Sequence, residues 1–195
     1  MAIYHLEAKV ISRGAGRSAV AASAYLSCSR LYNDYDGIQH DYTKKQGLVW
    51  QEVFLPAMAP PEWKDREQLW NAVEEVETAK DSRLAREFVV ALPIEPNREE
   101  QIELLQEFIR EQFVADGMCA DAAIHDTDGR NPHAHILLTV RPLDEQRRWQ
   151  YKTEKNISAS ETVKKRASPP PSSNRRRTKA GRSNIPTRSA KRRCT

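Results

Sequence analysis

No run of 18 apolar residues occurs in this chain of 195, so it offers no membrane span. The amino terminus, Met1-Ala2-Ile3-Tyr4-His5-Leu6-Glu7, lacks a basic region followed by an apolar core and does not read as a secretory signal. Cysteine is scarce. Cys28, Cys119 and Cys194 are odd in number and far apart, which excludes a disulfide framework and a C-x-x-C zinc pair. Free thiols in a reducing, cytoplasmic setting are expected. Positive charge is missing from most of the chain, although the net charge is +4: residues 152–195 carry 14 Lys/Arg against 2 Asp/Glu, whereas residues 1–151 carry 17 against 25. The acidic part does not bind nucleic acid by bulk charge, so any such site there is a local basic patch.

What the chain does have is three of its five histidines in one place. His133 and His135 stand two apart in the apolar run Pro132-His133-Ala134-His135-Ile136-Leu137-Leu138, and His125 lies eight residues upstream. On a strand, the i,i+2 spacing puts both rings on one face, about 6.5 Å apart. A hairpin through Asp128-Gly129, a strong turn signal, brings His125 beside them. Three neutral imidazoles make a cup for one divalent metal with coordination positions left open, as catalytic metals require. The competing reading is three hydrogen-bonded structural histidines, and a triad alone names no reaction.

Alternation over 2–11 predicts a strand, then a flexible Ser12–Arg17 turn. Ser18 caps an alanine-rich helix from Ala19 to Leu31. Residues 33–47 are polar, with a turn at Asp36-Gly37, and Leu48–Leu55 is a short strand. Leu69, Val73 and Val76 set a helix over 62–79, and Arg86–Leu92 is a strand ended by Pro93. Asn97 caps a helix to Val114 with Ile102, Leu105, Phe108, Ile109 and Phe113 as its buried stripe, stopped by Gly117. Strands Ala120–His125 and His133–Arg141 complete an α+β or α/β arrangement with a mixed or antiparallel sheet. From Asn156 onward Ser, Pro, Lys and Arg dominate, and a disordered basic tail over 156–195 is expected after a domain of residues 1–155.

Taken together, these residues resemble the MobA/MobL-type conjugative relaxases of the HUH endonuclease superfamily. The opening Ala2-Ile3-Tyr4-His5-Leu6 with Ser12-Arg13-Gly14 and Arg17-Ser18-Ala19 carries part of the likeness. Ala22-Ser23-Ala24-Tyr25, Arg86-Glu87-Phe88 with Ala91-Leu92-Pro93, and His125 followed by Asn131-Pro132-His133-Ala134-His135 carry the rest. The likeness covers about 1–150 and implies a central, mainly antiparallel sheet flanked by helices. The basic tail departs from the pattern, in which further structured sequence is expected, and is consistent with a truncated or frame-shifted end.

The resemblance implies nicking and rejoining of one DNA strand at a plasmid or mobile-element origin of transfer, through a 5′-phosphotyrosine intermediate. Tyr25 would be the nucleophile; Tyr32 and Tyr35 look like the paired tyrosines of some HUH enzymes but fall outside the family position. His125, His133 and His135 would hold a divalent metal that polarises the phosphate, and Glu87 would fix a ligand histidine's tautomer. Imidazoles suit softer metals than magnesium, so manganese is expected to work well, zinc or nickel to bind tightly, and magnesium to serve only at high concentration. Arg13, Arg17, Lys44 and Lys45 are candidate phosphate contacts. Single-stranded DNA, accessory relaxosome proteins and a coupling protein are the implied partners, in the bacterial cytoplasm and without membrane insertion. Three other readings stand beside this one: a rolling-circle replication initiator, a three-histidine metalloenzyme of small molecules, and an inactive DNA-binding fragment. In rolling-circle initiators the metal motif normally precedes the tyrosine, whereas here Tyr25 comes about 100 residues before the histidines.

Overall fold

The structure, a computed structural model, describes residues 5–127, 129 and 131–152. The predicted 155/156 boundary, the tail, Asp128 and Arg130 lie outside those residues.

Among the described residues, seven strands and three α-helices follow one another. Strands β1 (Leu6–Ser12), β4 (Leu48–Phe54), β5 (Arg83–Ala91), β6 (Ala120–His125) and β7 (His133–Thr139) form one sheet in the order β1-β5-β7-β6-β4. All its pairings are antiparallel. Strands β2 (Arg30–Asn33) and β3 (Ile38–Asp41) form a separate hairpin. The fold is thus α+β around a mainly antiparallel sheet, as expected.

Strand alternation divides the core between the two faces. Ile11, Ala85, Ala123 and Leu137 pack with Val20 and Ala24 of α1 (Ala19–Leu26) and with Leu69, Trp70 and Val73 of α2 (Arg66–Val76). Ala122, Ile124, Ala134, Ile136 and Leu138 pack with Leu105 and Ile109 of α3 (Arg98–Ile109). Residues in step with Ala123 and Leu137 therefore face α1 and α2.

One buried carboxylate ties both helices to the sheet. Asp121 of β6 accepts from Ser23 Oγ at 2.6 Å, Trp70 Nε1 at 3.1 Å and Arg66 Nε at 2.9 Å. Each donor would otherwise lose its partner on burial, a cost of about 1–3 kcal/mol.

Helix α1 is shorter than predicted. It ends at Leu26 rather than Leu31 because Cys28 adopts the left-handed region (φ 51°) and Ser29 N–H turns back to the Ala24 carbonyl. Leu31 is instead buried from β2. The helix expected over 62–79 is divided: Pro61–Lys64 is a 3-10 turn, and Asp65 then caps α2 by accepting from Glu67 and Gln68 N–H. Asn97 and Glu100 form a reciprocal capping box on α3. The chain continues from α3 through a π turn, Arg110–Val114, to Gly117. Phe108 leaves the predicted buried stripe: it is 44% exposed, off the Leu105–Ile109 line, and meets the edge of Phe113 instead. Gly117 is required, since its φ is +84° and a Cβ there would lie 2.8 Å from the Leu143 carbonyl oxygen.

Candidate functional site

The predicted histidines converge on the α1 face. His125 and His133 are direct cross-strand partners, and His135 sits one pleat along from His133. Their ring centres are 5.9 Å (125–133), 5.2 Å (125–135) and 5.3 Å (133–135) apart. A tetrahedral ion with metal–nitrogen distances of about 2.1 Å would put imidazole centres about 5 Å apart. Among the described residues no three His, Cys, Asp or Glu side chains converge tightly enough to count as a formed metal centre. The 5.9 Å separation is the widest of the three.

The chemistry of the ring nitrogens nevertheless fits a metal. His125 Nε2 lies 2.7 Å from the Leu26 carbonyl oxygen, His133 Nδ1 2.9 Å from that of Asn131, and His135 Nδ1 2.8 Å from Glu87 Oε1. Each acceptor draws the proton to the nitrogen it faces and leaves the other as a lone-pair donor. His125 would thus ligate through Nδ1, and His133 and His135 through Nε2. His125 is 3% exposed; burial above all, with Lys45 and the neighbouring histidines, lowers its pKa to about 4 and keeps it neutral.

Glu87 stands where the histidine pairing requires. Val89 lies opposite His135, so Glu87 is the diagonal neighbour on the same face. Burial pushes the Glu87 carboxyl up, but the His135 hydrogen bond and charge, with Lys9 and Arg17, hold it below the usual glutamate range.

Tyr25 is on the helix that packs over this face, 44% exposed. A cleft of about 650 Å³ brings it together with Glu87, His135, Arg17 and Tyr42. The Tyr42 ring meets Tyr25 edge-on, with centroids 5.3 Å apart. Lys45 Nζ lies 3.8 Å from the centre of the Tyr25 ring and donates to the Tyr25 carbonyl at 3.2 Å. Burial pulls its ammonium below the ordinary lysine range. The carbonyls that end α1 are therefore capped by Lys45 at Tyr25 and by His125 at Leu26, which couples the tyrosine's helix to the histidine cluster. Beside it, Gly47 accepts from Asp126 N–H at 2.8 Å; its φ is +92° and a Cβ would meet Thr127 Oγ1 at 2.8 Å.

The four predicted phosphate contacts are not equivalent. Arg17 is exposed at the cleft and makes no ion pair among the described residues. Lys45 is at Tyr25, whereas Lys44 is exposed on the turn after β3 and does not line the cleft. Arg13 is turned inward. It pairs with buried Glu74 at 2.7 Å, donates to the Glu74, Glu77 and Ala79 carbonyls, and stacks on Tyr35. Its charge is already matched. Tyr42, a rival tyrosine to Tyr25 in the sequence, and His40, which the sequence does not single out, both line the cleft, and His40 Nε2 is buried and without a partner among the described residues. The alternation Ile38, His40, Tyr42 was the available signal, hidden in a stretch read as polar turn.

The mainly antiparallel sheet flanked by helices is the fold of a relaxase. The MobA/MobL family model matches residues 17–192, past the end of the resemblance read from the residues, and the chain belongs to that family of conjugative relaxases. It is 41% identical over 157 residues to the conjugal transfer protein TraA of Rhizobium radiobacter, covering 75% of this chain and 14% of that protein. It is 41% identical over 145 residues to the probable mobilization protein MobA of Bifidobacterium longum, covering 74% and 26%. A structure solved for the molecular basis of vancomycin resistance transfer in Staphylococcus aureus superposes with a TM-score of 0.73 at 37% identity, covering 84% of this chain and 86% of that one. The chain thus spans about one-seventh of the TraA relative's length. No helix among the described residues is long and apolar enough to cross a membrane.

Proposed function

We propose that this chain nicks and rejoins one strand of DNA at an origin of transfer, with Tyr25 as nucleophile. The observation that carries the reading is the joining of Tyr25 to the histidine cluster through the α1 terminus, where Lys45 and His125 hold adjacent carbonyls. The Tyr25 oxygen attacks the scissile phosphorus, and the bond from phosphorus to the 3′ oxygen breaks. The strand is left with a free 3′-hydroxyl, which takes up a proton, and a 5′-phosphate esterified to Tyr25. Lys45 Nζ, 3.8 Å from the ring centre, places a positive charge beside the attacking group. The bond energy is retained in the phosphotyrosine, so the same hydroxyl can reverse the step without a nucleotide cofactor. His125, His133 and His135 would hold a divalent ion, manganese or magnesium in function with zinc or nickel as tight binders. Bound there, such an ion supplies Lewis-acid stabilisation of the phosphate charge. Glu87 fixes the His135 tautomer, and Arg17 and Lys45 meet the DNA backbone, with Lys44 at the margin. The sequence 1–155 serves as the nicking domain, and residues 156–195 add sequence-independent contacts to DNA. Accessory relaxosome proteins and a coupling protein complete the setting in the bacterial cytoplasm.

Single-stranded oligonucleotides tiling the DNA around its gene, incubated with the full chain and manganese, test this. One of them should be cut. Tyr25→Phe should bind it without cutting, and His135→Ala should lose metal-dependent cutting. Cleavage by Tyr25→Phe at the wild-type rate would remove the assignment.

A further inference from the structure

Tyr35 stands at the turn of the β2–β3 hairpin, 54% exposed. An open aromatic ring is ordinarily free to move, but this one is held from two sides. Its backbone N–H donates to Asn33 Oδ1 at 3.0 Å, and buried Asn33 in turn donates to Ser18 Oγ at 3.1 Å. Its ring lies against Arg13, with Cζ 3.8 Å from the centroid. Arg13 is itself fixed by the 2.7 Å pair to Glu74, which is 2% exposed and also accepts from Ala19 N–H at 2.8 Å. The guanidinium lies on one face of the ring, and Tyr35 lines the same cleft as Tyr25 while also bordering a groove with Asp34, Gln68 and Glu75.

A rigid aromatic surface in a groove that also presents Arg17, which makes no ion pair among the described residues, is what an unpaired nucleobase requires: stacking removes apolar surface from water at little entropic cost. Double-stranded DNA, with its bases already stacked, has none to offer. We infer that Tyr35, backed by Arg13, is a stacking platform for one unpaired base of the strand bound at Tyr25. This rests on the proposed nicking function and adds where one base sits. It also gives Arg13 a task that its internal pairing allows.

The test is binding of the full chain, in chelator, to a fluorescently labelled single-stranded oligonucleotide that the wild type cuts, read by anisotropy. The oligonucleotide is supplied intact and as a set with one abasic site moved along it. Tyr35→Ala should weaken binding by about 5- to 100-fold, the range for one base–aromatic stack, and Tyr35→Phe should restore it. One abasic position should cost the wild type a similar factor and cost Tyr35→Ala nothing. Wild-type affinity in Tyr35→Ala, or the same abasic profile in both proteins, overturns the platform while leaving nicking intact. A wild type that neither binds nor cuts single strands overturns the nicking function and the platform with it.

Discussion

Acidification from about pH 7.5 to about pH 5 should destabilise the fold by about 2 kcal/mol through His125 alone. Its ordinary value of 6.5 is lowered to about 4, first by burial, then by Lys45, His135 and His133; the bond to the Leu26 carbonyl opposes this without offsetting it. Between those values the unfolded chain takes up a proton that the folded chain refuses. Stability is therefore complete above the unfolded value and falls by about 1.4 kcal/mol per pH unit as the pH drops towards the folded one. Glu77 and Glu87 leave this window clear, whereas Asp121, raised by burial, contributes alike in the wild type and in a His125 variant. Glu77 and Glu87 are raised by burial but held lower on balance by their hydrogen bonds to Arg141 and Lys152 and to His135. Their stabilisation is lost only as the pH falls below the ordinary glutamate value of 4.5. In chelator, thermal unfolding followed by circular dichroism should show a Tm lower by about 4–8 °C at the acid end. His125→Gln, whose amide reaches the same carbonyl but does not titrate, should flatten the dependence. An equal slope in the wild type and in His125→Gln refutes the burial argument.

Glu87→Gln should weaken manganese binding about 10- to 100-fold by isothermal titration, because the acceptor that orients His135 loses its charge; unchanged affinity contradicts the pairing role. Asn97→Ala removes half of the capping box and should cost about 1 kcal/mol, a Tm drop of about 2–4 °C. Leu69→Ala, at a position with no exposure between α2 and the sheet, should cost about 2–5 kcal/mol in denaturant unfolding. A cost under about 1 kcal/mol there would mean that the α1–α2 layer is not packed as described.

Local signals carried much of the fold because they are local in cause. Alternation in β1 follows from the pleat, and Asn97 and Ser18 are caps whose side chains bond amides three residues on. The histidine grouping was visible for the same reason, since i,i+2 spacing and a tight loop fix the face. The failures have non-local causes. The carbonyls left open where Cys28 turns the chain out of α1 are taken up by Lys45 and His125, far along the chain. The role of Arg13 depends on Glu74, 61 residues away, and that of Asp121 on Ser23, Arg66 and Trp70. No periodicity in a single sequence encodes such partners. The β2–β3 hairpin was hidden for another reason: β3 buries little and β2 buries only Leu31 and the polar Asn33, so the stretch reads as loop.

The central claim is that Tyr25 forms the bond to DNA, and its position in the sequence makes the measurement direct. Trypsin cuts after Arg17 and Arg30, so residues 18–30 carry Tyr25 as their one tyrosine, while residues 31–44 carry Tyr32, Tyr35 and Tyr42. After reaction of the full chain with a cleavable single strand, nuclease trimming and trypsin digestion, mass spectrometry should find the nucleotide remnant on the 18–30 peptide. A remnant on the 31–44 peptide, or cleavage that leaves none on any tyrosine, would contradict it.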